Sequence, residues 1–296
     1  MLAFGVFLTF KILDFADMTA EGSLLIGGAI CAVSIYNGIH PVLATILGML
    51  GGAVCGLITG ILNRLLKIPK LLSGIITMTA AGSIALLIFG TTTPNLFSAS
   101  ATLTKNGATL PTIFSCLPAN VFKGWQVIII SALVISVVIG ICYFFFGTEY
   151  GMAIRATGIN ERMAKAQGIN TTLTTIICVT ISNALIGLAG ALIAQIDGGM
   201  YATSATGYLV VGLASILIGT TIFGQRSFKN SLISICLGSI VYFTIIALAT
   251  FVFKMPSEMN KFLYAVLIVI ALCLPMIKKG IITLWYKIFK KKEEVK

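Results

Sequence analysis

Charge is what this chain has least of. Of 296 residues, 20 are Lys or Arg and nine are Asp or Glu, 10% together, where soluble globular proteins carry about 25%. With 58% hydrophobic residues and a mean hydropathy of +1.05, a soluble domain is excluded. The composition is that of an integral membrane protein, in which helix packing and lipid replace a conventional core. There is one histidine, His40, and it precedes Pro41 at a turn, a place for a connector more than for a proton relay. The seven cysteines, Cys31, Cys55, Cys116, Cys142, Cys178, Cys236 and Cys273, stand singly. Without a CxxC pair or a nearby histidine they read as small apolar packing residues, and no metal site is expected. HExxH and nucleophile-elbow motifs are missing, so an enzyme finds no support here. A GxxxxGK[ST] phosphate loop is missing too, so ATP and Mg, if used, belong to a partner and no cofactor is expected on this chain. The net charge of +11 does not indicate nucleic acid, because the basic residues sit at the ends of apolar runs, as topology signals and headgroup contacts do.

What the chain does have is a series of apolar runs. Leu2 to Leu13 is apolar except for Lys11, and it falls short of the ~20 residues a spanning helix needs. It lacks the basic start and cleavage site of a signal peptide, so it is either a tilted, incomplete helix or the rest of one whose coding sequence begins upstream. Asp14, Asp17 and Glu21 then precede an apolar run from Gly22 to Tyr36. Asp17 or Thr19 can cap that helix, with Glu21 favouring its positive end. Alternatively the acids line the entrance to a substrate path. Pro41 to Leu62 carries Gly48, Gly52, Gly56 and Gly60 at every fourth position, a stripe that lets another helix approach closely. Further spans are expected over Leu71 to Gly90, Trp125 to Phe146, Thr171 to Ile196, Gly207 to Gly224, Phe228 to Phe253 and Lys261 to Ile277. Asn183 lies inside one of them, placed for an interhelical hydrogen bond or for the translocation path. Thr91 to Gly124 reads as a surface loop or a partly interfacial helix. The expected fold is all-α, a polytopic membrane protein with about eight or nine transmembrane helices, some short or broken. A single transmembrane domain would occupy residues 1–277, and 278–296 would form a basic tail.

One polar segment stands out, Thr148 to Asn170, with Glu149, Arg155, Glu161, Arg162 and Lys165. It is too polar for hydrocarbon and must face water or another protein. Met152 to Thr157 suits a short helix, Gly158 is expected to break it, Asn160 can cap a second helix from Glu161, and Gly168 suits its left-handed end. Arg155, Ala156 and Gly158, followed by Ala164 and Gly168, resemble the cytoplasmic coupling loop of ABC importer permeases of the branched-chain amino acid and ribose permease superfamily. Leu13, Asp14, Phe15, Asp17, Thr19, Gly22 and Ser23 look like the signature after the first helix in permeases of tryptophan- and tyrosine-type ABC transport systems. Ile68 to Ser83 and the GLASILIG of Gly212 to Gly219 are similar to the same group.

This resemblance implies a non-enzymatic permease subunit. Its partners would be a cytoplasmic ATPase dimer, a second permease copy, an extracellular substrate-binding lipoprotein and the lipid bilayer. It also implies that Met163, Ala164 and Gln167 sit against the ATPase, that Arg155 fixes the loop, and that Gly158→Val or Ala164→Trp uncouples a permease that still folds. Placing this loop inside puts fifteen basic residues within and four, Lys105, Lys123, Lys254 and Lys261, outside, as the positive-inside rule requires. The C-terminus is then cytoplasmic, in a bacterial plasma membrane. The competing class is a secondary transporter or channel that carries a coupling ion on Asp14, Asp17 and Glu21.

Overall fold

The computed structural model describes residues 1–89, 104–105, 108–109, 111–116, 125–197, 205–225, 227–253, 259, 262–270 and 273. A short α1 (Leu2–Val6) runs into one π-helical stretch, Phe7–Ile12. Then follow α2 (Thr19–Tyr36), α3 (Pro41–Arg64) and α4 (Lys70–Phe89). Beyond a two-residue β pair, Thr104–Lys105 with Ala108–Thr109, and a 3-10 turn at Ile113–Cys116, come α5 (Gln126–Gly147), α6 (Glu149–Ile159) and α7 (Glu161–Ala166). The series continues with α8 (Thr171–Ile196), α9 (Tyr208–Phe223) and α10 (Phe228–Phe253). Among the described residues, α2, α3, α4, α5, α8 and α10 are long and apolar enough to cross a membrane, and Leu2–Ile12 and α9 are shorter apolar helices. Residues 262–270 are helical where the last span is expected. The protein is thus an all-α polytopic membrane protein. The tail 278–296 and most of the 91–124 connection lie outside the described residues.

The chain forms two compact units, Met1–Leu209 and Val210–Lys296. In the first, α8 is the central element, packed on α2 and α3, with α1 along it and α4 on the other side of α2. The outer faces of α3, α4 and α5 carry many exposed Leu, Ile, Val and Phe side chains, as helices solvated by lipid do. In the second, Val211, Ala214 and Ile218 pack with Tyr242, Ile246 and Leu267, and α9 meets α10 where Gly238 approaches the Ser215 carbonyl and Gly219.

The four glycines of the stripe, Gly48, Gly52, Gly56 and Gly60, lie against α8, with Gly48 also touching α2. A Cβ at Gly48 would sit 2.9 Å from Ala191 Cβ, one at Gly52 2.8 Å from Gly187 Cα, and one at Gly60 3.0 Å from Ile176 Cα. At Gly56 it would meet the Val179 carbonyl at 2.5 Å and Asn183 Cβ at 2.7 Å. Two backbones in contact leave no side chain to give way, so Gly56→Leu is expected to cost roughly 1–3 kcal/mol or more by overpacking. Its melting temperature in detergent should fall clearly; an unchanged value would contradict the close α3–α8 contact.

Candidate functional site

The buried polar side chains of the first unit converge where α2, α3 and α8 meet. Asn183 lies near the middle of α8, fully buried, as are Thr19, Ser23 and Thr59; Asp17 is 4% exposed. Asn183 Nδ2 donates to Asp17 Oδ2 at 2.7 Å, and Ser23 Oγ donates to Asn183 Oδ1 at 2.7 Å. The Thr19 backbone N–H donates to Asp17 Oδ1 at 2.8 Å, and the Thr19 and Thr59 hydroxyls share a hydrogen bond of 2.7 Å. Every polar atom of the carboxylate and amide has a partner, which makes a buried network tolerable.

Of the residues singled out in the sequence, the structure joins Asp17, Thr19 and Asn183 and leaves Asp14 and Glu21 elsewhere. Glu21 Oε1 accepts from the Gly207 backbone N–H at 2.8 Å. Asp14 is exposed in the left-handed region at φ 52, and its carbonyl accepts from Lys70 Nζ at 2.8 Å. The three acids therefore do not make one cluster. Neither Asp17 nor Thr19 is the N-cap of α2: that residue is Met18, with no side-chain capping bond. Asp17 still serves that helix end, one oxygen accepting from the N–H of Thr19, the first residue of α2, while the other takes Asn183, a partner that only the fold supplies.

A second polar knot was not apparent in the sequence. Gln195 Nε2 donates to Thr45 Oγ1 at 2.7 Å, and its Oε1 accepts from the Ile113 backbone N–H at 2.9 Å. This pins the 3-10 turn to the end of α8. Thr59 was missed as well, and Ser23, singled out only within the resemblance, was given no polar partner, although it stands one helical turn beyond Thr19 and so shares its face. Among the described residues no group of His, Cys, Asp and Glu is close enough to hold a metal ion.

The polar segment between α5 and α8 folds as two short helices. Thr148 caps α6, its hydroxyl accepting from the Gly151 N–H at 3.4 Å. Asn160 caps α7 through its Oδ1 and the Met163 N–H at 3.1 Å. Gly168 takes φ +81 at the end, where an L side chain is disfavoured. Gly158 differs from expectation. It does not break a helix; α6 runs through it to Ile159. What it provides is room, since a Cβ there would fall on the Ile12 carbonyl, 3.0 Å from Leu13 Cα. Ala164 also differs, being 2% exposed within its own chain while Met163 is 61% exposed. Arg162, Met163 and Gln167 are exposed there, and Ala164 is not. Arg155 is exposed and Ala156 half-buried.

The segment is tied to the spans at two points. Thr157 and Thr174 hydroxyls are 3.1 Å apart. Glu161 pairs with Arg64 at 2.6 Å at the end of α3 and with Lys165 at 3.3 Å. The hydrogen bond from Arg64, and after it the Arg64 and Lys165 charges, hold the Glu161 carboxyl below its ordinary range despite some desolvation. A carboxyl lowered in the folded state stabilises at pH above its unfolded value, and that stabilisation is lost as pH falls through the folded value. Acidifying from neutral pH to below the ordinary Glu range near 4 should therefore loosen this anchor. Half-exposed as it is, the pair is worth about 0.3–1 kcal/mol, and Glu161→Gln should remove that share of the acid dependence of the melting temperature.

Comparison with known proteins places this architecture. Residues 1–272 match the family described as "Branched-chain amino acid transport system / permease component". The chain is 39% identical over 247 residues to the tyrosine transport system permease protein of Clostridioides difficile, covering 83% of this chain and 77% of that one. It is 28% identical over 236 residues to the probable branched-chain amino acid transport permease protein of Methanocaldococcus jannaschii, covering 79% and 72%. It is 26% identical over 228 residues to the ribose import permease protein of Bacillus subtilis, covering 76% and 66%. No solved structure matches. With a match over nearly its whole length and a spanning bundle that presents a folded polar loop, the chain belongs to the branched-chain amino acid transport system permease family, the membrane subunits of ABC transport systems.

Proposed function

We propose that this chain is the permease subunit of an ABC importer, forming the path of an amino acid or similar small solute across a bacterial plasma membrane. The observation that carries the reading is the two-helix loop, anchored to α3 through Glu161 and Arg64 while Met163 stands exposed at its tip. An ATPase can move a membrane gate only through a contact that differs between its nucleotide states. A short helix presenting Arg162, Met163 and Gln167 to a groove of the ATPase provides one. The chain would work with a second copy of itself, with two cytoplasmic ATPases that bind ATP and Mg, and with an extracellular binding lipoprotein that delivers the solute. The amino acid class is supported by the names of the relatives, one transporting tyrosine and one branched-chain amino acids. In this reading 148–170 and the C-terminus are cytoplasmic and Cys116 is outside.

The test uses the full complex in proteoliposomes. Met163→Asp puts a charge on an exposed residue, so the permease should melt as the wild type does while uptake falls roughly tenfold or more, as loss of an interface anchor does. In intact cells an impermeant thiol reagent should label Cys116 and spare cysteines introduced as Asn160→Cys and Ser227→Cys. Uptake driven by an ion gradient in the absence of the ATPase would overturn the reading.

A further inference from the structure

Gly158 of the 148–170 loop and the buried Asp17–Asn183 pair are joined by one short stretch of chain with an uncommon backbone. Phe7–Ile12 is π-helical, closed by the Leu13 N–H donating to the Leu8 carbonyl at 3.1 Å and the Phe15 N–H donating to that of Thr9 at 2.9 Å. A π turn holds one residue more than the α turn it replaces, is less favourable, and tends to occur where function requires it. On its upstream side the chain is fixed to α8, because Ser182 Oγ donates to the Gly5 carbonyl at 2.6 Å and Cys178 Sγ lies 3.7 Å from that of Leu8. At its end the Ile12 carbonyl faces Gly158 of α6 with no space for a side chain between them. Two residues later Asp14 takes a positive φ, and Asp17 then reaches Asn183.

A displacement of α6 acts on the Ile12 carbonyl, and with Gly5 held to α8 the chain from Phe7 to Asp17 is what absorbs it. Reverting the π turn to α geometry advances the chain after it by one residue, about 1.5 Å along the axis and roughly 100° around it. Such a step is enough to separate Asp17 from Asn183, whose hydrogen bond has no slack at 2.7 Å.

Resting on the importer reading above, we propose that Phe7–Ile12 is a register switch that carries movement of the 148–170 loop to the intramembrane Asp17–Asn183 bond, with Asp17 and Asn183 as positioning residues for transport. The Ile12–Gly158 contact is the input, the π-to-α step the two-state element, and the closure of α2 on α8 by Asp17 the output. Coupling of this kind needs a discrete two-state element that both sites bias, and the π turn is the segment between them built as one.

The experiment removes the extra residue. Phe10 is the exposed apolar member of the turn, 48% accessible, and its deletion leaves α geometry as the only register that keeps both ends in place. In reconstituted permease–ATPase complexes, ATP hydrolysis should stay within about twofold of wild type while solute moved per ATP falls roughly tenfold. An unchanged ratio in an assembled complex overturns the proposal. If the deletion variant does not assemble, nucleotide-induced infrared difference spectra of the wild-type complex decide. A carboxyl band that responds to nucleotide and disappears in Asp17→Asn supports the switch; a transporting wild type without that band overturns it. A wild-type complex that transports without ATP instead overturns the importer reading, and the switch with it.

Discussion

Gly158→Val is expected to leave the permease unable to hold its native packing, with the detergent melting temperature falling farther than for any other substitution in the 148–170 loop. The added Cβ has nowhere to go. It would land on the Ile12 carbonyl and close to Leu13 Cα, both of them backbone, and that backbone is held upstream by Ser182 and downstream by Asp17. Overpacking of this kind costs roughly 1–3 kcal/mol where side chains can shift, and more where they cannot. Gly158→Ala makes the test sharp. Were Gly158 a helix breaker, alanine would favour α6 by about 1 kcal/mol; because Ala carries the same offending Cβ, the structure requires it to destabilise instead. A melting temperature for Gly158→Ala at or above wild type would show that the Ile12 contact does not exist in the membrane.

The sequence pointed to Gly158 for the wrong physical reason, and the case shows what a sequence can carry. Local chemistry was readable: Asn160 caps α7 and Gly168 takes a positive φ because both depend on neighbours a few residues away. The glycine stripe was readable as a packing face, since its fourfold spacing is a property of one helix, but nothing in that spacing named α8 as the partner. Gly158 is where local and distant demands give the same residue, a glycine that tolerates any φ and a glycine that admits a carbonyl from elsewhere. Ala164 fails in the same way, since a small residue on a polar helix looks available to a partner until its own chain is seen to cover it. The network residues Ser23 and Thr59 and the Arg64–Glu161 pair were hidden for a related reason. Ser23 meets Asn183 across 160 positions and Arg64 meets Glu161 across 97, and single hydroxyls or charges leave no periodic trace of partners so remote.

Asn183→Leu is the other substitution expected to have a large effect, and its size relative to its neighbours tests the network. An interhelical hydrogen bond within a membrane is worth about 0.6 kcal/mol on average and rarely above 1.7, so Ser23→Ala, which removes only the bond to Asn183 Oδ1, should cost about that little. Asn183→Leu removes this bond and also the donor to Asp17 Oδ2, stranding a carboxyl that is 4% exposed. Leaving a buried polar atom without its partner costs about 1–3 kcal/mol, and more when the group is charged. Thermal unfolding in detergent should therefore rank Asn183→Leu well below Ser23→Ala. Adding Asp17→Leu to Asn183→Leu should restore part of the loss, because the stranded carboxyl is then gone, giving a coupling energy of roughly 0.5–3 kcal/mol between the two positions. If the two losses simply add, Asp17 and Asn183 do not hold each other, and α2 is kept on α8 by its glycines and apolar contacts alone.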